Sequence, residues 1–131
     1  MAGNWDWNQK EWYDHDGKHD PTPETNWSLI VAQTRYGDAM YHPAIIRAGM
    51  QEEIELMTVA LEHEIPTKRA SVRIFCRKVS GLPNDIPLGA SKGEETNWCY
   101  VEWKNDPQGT VHGRPLHEQR VKELRNKGRQ P

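Results

Sequence analysis

The sequence predicts an α+β fold: an αβββα core in which a small mixed sheet is flanked by two helices, with an irregular Trp-rich arm ahead of it. Three observations predict it. A helical region opens at Pro43 and runs to about Glu64, three short segments between Ser71 and Lys104 read as strands, and an amphipathic helix follows from Leu116 to about Lys127. The arm takes residues 1–44 and the α/β domain residues 45–131.

In chain order, residues 1 to about 28 are rich in Trp, Asp, Asn, His and Pro and hold no sustained period, so they read as an arm or loop. Trp5, Trp7, Trp12 and Trp27 set it apart from a plain polar tail, because such large rings bury against something, either this domain or a protein partner. Within it, Asp14 to Asp20 has a faint likeness to a calcium loop, but the third regular acidic ligand and the terminal Glu are missing, and a solvated turn is the plainer reading. Residues 28–36 fit a short strand or a helical turn equally well, ended by Gly37-Asp38.

Pro43 then opens the helical region, where Met50, Ile54, Met57 and Leu61 fall on one face. Glu53 lies beside that stripe, whereas Glu52, Glu55, Glu62 and Glu64 read as solvated. Pro66 stops the helix. Ser71 to Val79 is the first strand, with Val72, Ile74 and Cys76 on one face and Arg73, Phe75 and Arg77 on the other. A turn at Gly81-Leu82-Pro83-Asn84 leads to Asp85-Ile86-Pro87-Leu88, which Pro87 restricts to an edge or very short strand. Gly89 to Thr96 reads as a polar connection.

Asn97 to Lys104 is the third strand, being aromatic and β-branched and bounded by turn residues. Side chains alternate, so Trp98, Tyr100, Glu102 and Lys104 share one face and Cys99, Val101 and Trp103 the other. Asn105 to Pro115 is rich in Gly and Pro and reads as a loop. His112 and His117, flanking Gly113-Arg114-Pro115, could suggest a histidine-dependent nuclease, but no paired Asn and His at a suitable spacing accompanies them, and exposed loop histidines are the default reading. The last helix puts Leu116, Val121 and Leu124 inside and is ended by Gly128.

Composition narrows the function classes. The chain has 35% hydrophobic residues and a mean hydropathy of -0.94. No apolar run approaches the length of a membrane span and no signal-peptide core is visible, so the expectation is a chain without a membrane partner that stays in the cytoplasm, the host's if it is phage-encoded. Cys76 and Cys99 then read as reduced, semi-buried core thiols. Charge is segregated: residues 1–64 hold 4 Lys/Arg against 12 Asp/Glu, and residues 65–131 hold 13 against 7. The basic half is the one suited to a polyanion. Neither a phosphate-cradling Gly-rich loop nor a zinc-type Cys/His set is present.

The run Ser80-Gly81-Leu82-Pro83-Asn84-Asp85-Ile86, the strand Tyr100-Val101-Glu102-Trp103-Lys104, and Gly113-Arg114-Pro115-Leu116-His117-Glu118-Gln119-Arg120 through Leu124 to Gly128 resemble the PD-(D/E)xK nucleases, most closely their small VRR-NUC branch. The resemblance spans about residues 49–128 and leaves the arm outside it. It implies that Asp85, Glu102 and the backbone carbonyl of Trp103 bind Mg²⁺ or Mn²⁺, that Lys104 orients the attacking water or steadies the phosphate charge, and that Glu53 and Gln119 assist. Hard oxygen ligands suit such a cation, which would act as Lewis acid and water activator. Arg73, Arg77, Arg114 and Arg120 would hold the DNA backbone. Two function classes follow: a small metal-dependent nuclease acting on DNA, with some preference for branched or end structures, and a noncatalytic binding or assembly protein, such as a phage or mobile-element accessory factor docking through residues 1–28.

Overall fold

The computed structural model describes residues 17–21, 26–62, 64–65, 71–104 and 109–129. The elements are α1 (Trp27–Gln33), β1 (Met40–Tyr41), α2 (Pro43–Arg47), α3 (Gln51–Leu61), β2 (Val72–Lys78), a 3-10 turn (Pro83–Asp85), β3 (Gly89–Ser91), β4 (Glu94–Thr96), β5 (Trp98–Lys104), β6 (Val111–Pro115) and α4 (Glu118–Arg129). The α+β class is as the sequence predicts. In place of one mixed sheet there are two antiparallel ones, ordered β2-β5-β6 and β1-β3-β4.

The β2-β5-β6 sheet is the platform for everything that follows. α3 packs on one face, where Ile54, Leu56 and Val59 meet Phe75, Cys99, Val101, Trp103 and Val111. On the opposite face Val121 and Leu124 of α4 close over Ile74, Cys76, Tyr100 and Leu116. Burial of these side chains on both faces supplies the main drive for folding, at ~25 cal/mol per Å² of apolar area. Cys76 and Cys99 are free, fully buried, and belong to different clusters. Burial pushes both thiols up, Cys76 to about 12, so neither offers a thiolate near neutral pH.

Several sequence expectations change. The helical region opening at Pro43 is two helices, because Gly49 takes φ +66 between them and breaks the run. Residues 28–36 resolve in favour of helix: Asn26 caps α1, its side-chain oxygen accepting from the Ser28 and Leu29 amides. The supposed polar connection from Gly89 to Thr96 is the β3-β4 hairpin, turned at Lys92 and Gly93 with φ +55 and +81. Paired positive φ values suit the twist of adjoining strands in a two-residue hairpin loop. The segment Asp85–Leu88 is no strand, since Asn84 and Asp85 both hold left-handed φ values of 57 and 54 and turn the chain. α4 runs through Gly128 rather than stopping at it.

Part of the expected arm is built into the fold. β1 pairs with β3, Tyr41 is fully buried, and the Tyr41 amide donates to the His19 carbonyl at 2.9 Å. His19 is itself buried, its Nδ1 lying 2.8 Å from the Ala39 carbonyl oxygen. Trp27 donates through Nε1 to Glu95 at 2.7 Å and lies 4.6 Å from the His42 ring. Trp5, Trp7, Trp12 and Asp14 to Asp16 lie outside the described residues. No helix among the described residues is long and apolar enough to cross a membrane.

Candidate functional site

The alternation of β5 puts Tyr100 and Glu102 on the α4 face of the sheet, and β6 completes the group. Pairing sets His112 opposite Glu102 and Arg114 opposite Tyr100. The Tyr100 hydroxyl donates to Glu102 Oε1 at 2.6 Å, and His112 Nε2 lies 3.3 Å from Glu102 Oε2. The Arg114 guanidinium stands over the Tyr100 ring at 4.7 Å. α4 starts beside Trp98, where Leu116 donates its amide to the Trp98 carbonyl, and crosses toward Cys76, whose carbonyl accepts from Arg125. It therefore covers the Trp98 end of this face and leaves the Glu102 end open. Glu102 and His112 keep 17% and 21% of their side-chain surface in solvent, which lets a ligand reach a pair already held in place.

Electrostatics follow from that packing. His112 beside it is the largest influence holding the Glu102 carboxyl down, to about 2, with the Tyr100 hydroxyl adding to the effect and burial opposing it. Burial, together with the bond to Glu102, pushes the Tyr100 phenol up. Glu102 thus contributes stability that is fully present above its ordinary pKa of 4.5 and lost as pH falls from 4.5 through about 2. After allowance for solvent screening this is worth about 1–2 kcal/mol. Thermal melts of wild type and Glu102→Gln should show a gap in melting temperature that narrows between pH 4.5 and 2. A gap that stays constant across that range would contradict the pairing.

The residues the sequence pointed to are not brought together. Asp85 is exposed and borders a cleft of about 390 Å³ with Lys78, Ser80, Leu82 and Asn97. That cleft lies where Lys78 pairs with Trp98, and Glu102 is five residues beyond Asn97, about 17 Å of strand. A single cation binds two carboxylates only when both come within about 2–2.6 Å of it. Trp103 sits in the middle strand between Arg73 and Val111, where sheet pairing already engages the carbonyls. Among the described residues no three His, Cys, Asp or Glu side chains group as a metal site requires. These residues do not fit a divalent cation held by Asp85, Glu102 and Trp103.

Other assignments shift too. Glu53 is exposed, and the acid that α3 turns inward is Glu55, fully buried against Gly113 with the Tyr41 hydroxyl and Gln51 Nε2 donating to its Oε2. Gln119 is exposed at the start of α4 and Lys104 is exposed at the end of β5. The four arginines form no single surface. Arg77 is turned inward and donates to the Ile54 carbonyl at 3.3 Å, Arg73 stacks on Trp103 on the α3 face, and Arg120 pairs with Glu123 at 3.4 Å. Only Arg114 lies with Glu102.

His112 passes for an exposed loop histidine because Asn105 to Pro115 reads as a loop rather than a strand. The signal was there: Val111, Gly113 and Pro115 are buried in alternation with half-buried His112 and Arg114. Glycine and proline disguised a period of two. Gly113 is required, since a Cβ there would lie 2.8 Å from the Tyr100 carbonyl oxygen and 2.9 Å from Glu55. His117 is also half-buried, 3.3 Å from the Ser91 hydroxyl, and burial lowers its pKa. Compared with protein-family models, curated proteins and solved structures, the chain matches none.

Proposed function

We propose that the protein cleaves nucleic-acid phosphodiester bonds at the open end of the β2-β5-β6 sheet, with His112 as the proton-transferring group, Glu102 orienting it, and Arg114 and Lys104 supplying positive charge. The observation that supports this reading is the 3.3 Å contact of His112 with Glu102 on a half-open face that also carries Arg114 and Lys104. A carboxylate beside Nε2 favours the tautomer with its proton on that nitrogen and leaves the other as base. Guanidinium and ammonium groups are suited to phosphate oxygens and to the charge that builds on them. The nuclease activity suggested by the resemblance is kept, while the acid pair that would perform it is replaced.

The test uses purified protein with labelled single-stranded RNA and with duplex, flap and junction DNA, each with added Mg²⁺ or Mn²⁺ and with EDTA. Cleavage of at least one substrate is expected, reduced roughly 10²–10⁴-fold by His112→Gln with the circular dichroism spectrum unchanged. Cleavage that survives His112→Gln undiminished would remove the proposal. A noncatalytic docking role is the second reading, favoured by Leu29 and Tyr36, which lie seven apart on α1 and the turn after it and are 59% and 87% exposed. It requires no cleavage under any of these conditions.

A further inference from the structure

The choice of nucleic acid can be argued from the same cluster, and the argument rests on the cleavage reading above. We infer that the substrate is RNA, cut without a divalent cation by attack of its own 2′-hydroxyl on the adjacent phosphorus. Two observations lead there. Asp85 and Glu102 stand at opposite ends of β5, so the residues that would assemble a cation to activate water do not meet. His112, by contrast, lies at the open end of the sheet: Nε2 is shut off from solvent 3.3 Å from Glu102 Oε2, an ion-pair contact rather than an aligned hydrogen bond, while the side chain as a whole keeps 21% exposure. With Nε2 shut off, Nδ1 is the ring nitrogen left to take a proton from a substrate.

An imidazole held beside a carboxylate is a suitable group to take a proton from a hydroxyl. It does not by itself supply the clustered positive charge that hydrolysis of DNA by water demands. RNA removes part of that demand because its nucleophile is already attached to the substrate, and intramolecular attack corresponds to effective molarities of roughly 10⁵–10⁸ M when well aligned. In the step, the 2′-oxygen gives its proton to Nδ1 of His112 and bonds to phosphorus, and the bond from phosphorus to the 5′-oxygen breaks. The 5′-oxygen takes a proton from solvent, and His112 later returns its own to solvent. The products are a 2′,3′-cyclic phosphate and a 5′-hydroxyl, with no water consumed and no change of oxidation state. Arg114, held over Tyr100, and Lys104, two residues past Glu102 on the same face, are placed to meet the non-bridging oxygens. Glu102 acts through His112 and is a positioning residue.

The experiment compares one RNA oligonucleotide with the same sequence carrying a single 2′-deoxy nucleotide at the main cut site, both in EDTA with the full chain. Expected are cleavage of the all-ribose strand, a cyclic phosphate end by mass spectrometry, and at least a 100-fold loss at the 2′-deoxy position. This comparison needs no variant that might fail to fold. His112→Gln should slow the same cut roughly 10²–10⁴-fold, and Glu102→Gln should lower kcat at least 10-fold and displace the pH profile of kcat, a displacement that simple loss of folded protein, which scales kcat alike at every pH, would not mimic. Cleavage of DNA that depends on Mg²⁺, or RNA cleavage indifferent to the 2′-deoxy substitution, overturns the RNA inference while leaving the nuclease reading standing. No cleavage of any strand overturns both.

Discussion

Gly89→Ala is expected to lower the melting temperature by roughly 10 °C, corresponding to about 3 kcal/mol. Gly89 lies on β3, opposite Tyr41 of β1 and Thr96 of β4, at the seam where the two sheets touch. A Cβ there would press on the Met40 carbonyl oxygen, lie 2.5 Å from Pro115 Cγ and reach 3.0 Å from Pro115 Cβ. The first obstacle is backbone and the second a rigid ring, so neither can swing aside as the end of a long side chain could. Relief requires the β3-β4 hairpin to move off β6, which strips cover from Leu88 and Ala90, both fully buried. Gly81→Ala is the natural control. That position has open space around it and φ +72, so the change brings only backbone strain of about 1–2 kcal/mol. Thermal denaturation followed by circular dichroism measures both, and a Gly89→Ala melt no lower than that of Gly81→Ala would mean the seam is looser than described.

The parts of the fold legible in the sequence were those whose residue types and boundaries agree. β2 and β5 are runs rich in β-branched and aromatic residues lying between turn residues, and both were placed to within a residue or so of their ends. α4 shows its Val121 and Leu124 stripe plainly, although it starts at Glu118 and leaves Leu116 just ahead of the helix. The hairpin and β6 were illegible for a common reason: they are short, close contacts force Gly at positions 89 and 113, and Pro115 closes β6, residue types that ordinarily mark loops. The helical region failed differently. A continuous run puts Met50, Ile54, Met57 and Leu61 inside, but the break at Gly49 and the packing of α3 turn Leu61 out to 63% exposure and turn Gln51, Glu55 and Thr58 in. Those inward positions are polar because they bond to one another, to Tyr41 and to the helix's own carbonyls. Hydropathy cannot announce a polar residue whose partners lie elsewhere in the chain. The candidate site was half legible on the same logic. Glu102 and Lys104 could be placed on one face from β5 alone, whereas His112 and Arg114 reach them only through a pairing register the sequence does not display.

Glu55→Ala is expected to be the costlier of two substitutions at that buried acid, by about 3–4 kcal/mol against less than about 1 kcal/mol for Glu55→Gln. The alanine variant leaves the Tyr41 hydroxyl and the Gln51 amide without their acceptor in a site with no solvent access, and opens a cavity beneath β6. Glutamine keeps the volume and one acceptor oxygen. Its new NH₂ would also face a neighbourhood in which Gln51 Oε1 is buried without a hydrogen-bond partner among the described residues, so a donor there can offset part of what the carboxylate loses. Urea unfolding distinguishes the two, and equal losses would show that volume rather than hydrogen bonding governs the site. The effect should also cross the sheet. Glu55 packs against Gly113, and Gly113 separates His112 from Arg114 on the strand whose other side meets Glu102. Among molecules that remain folded, Glu55→Ala should therefore weaken the proposed cleavage, because the floor that fixes the height of β6 beside β5 has been removed, while Glu55→Gln should leave that activity close to the wild-type level.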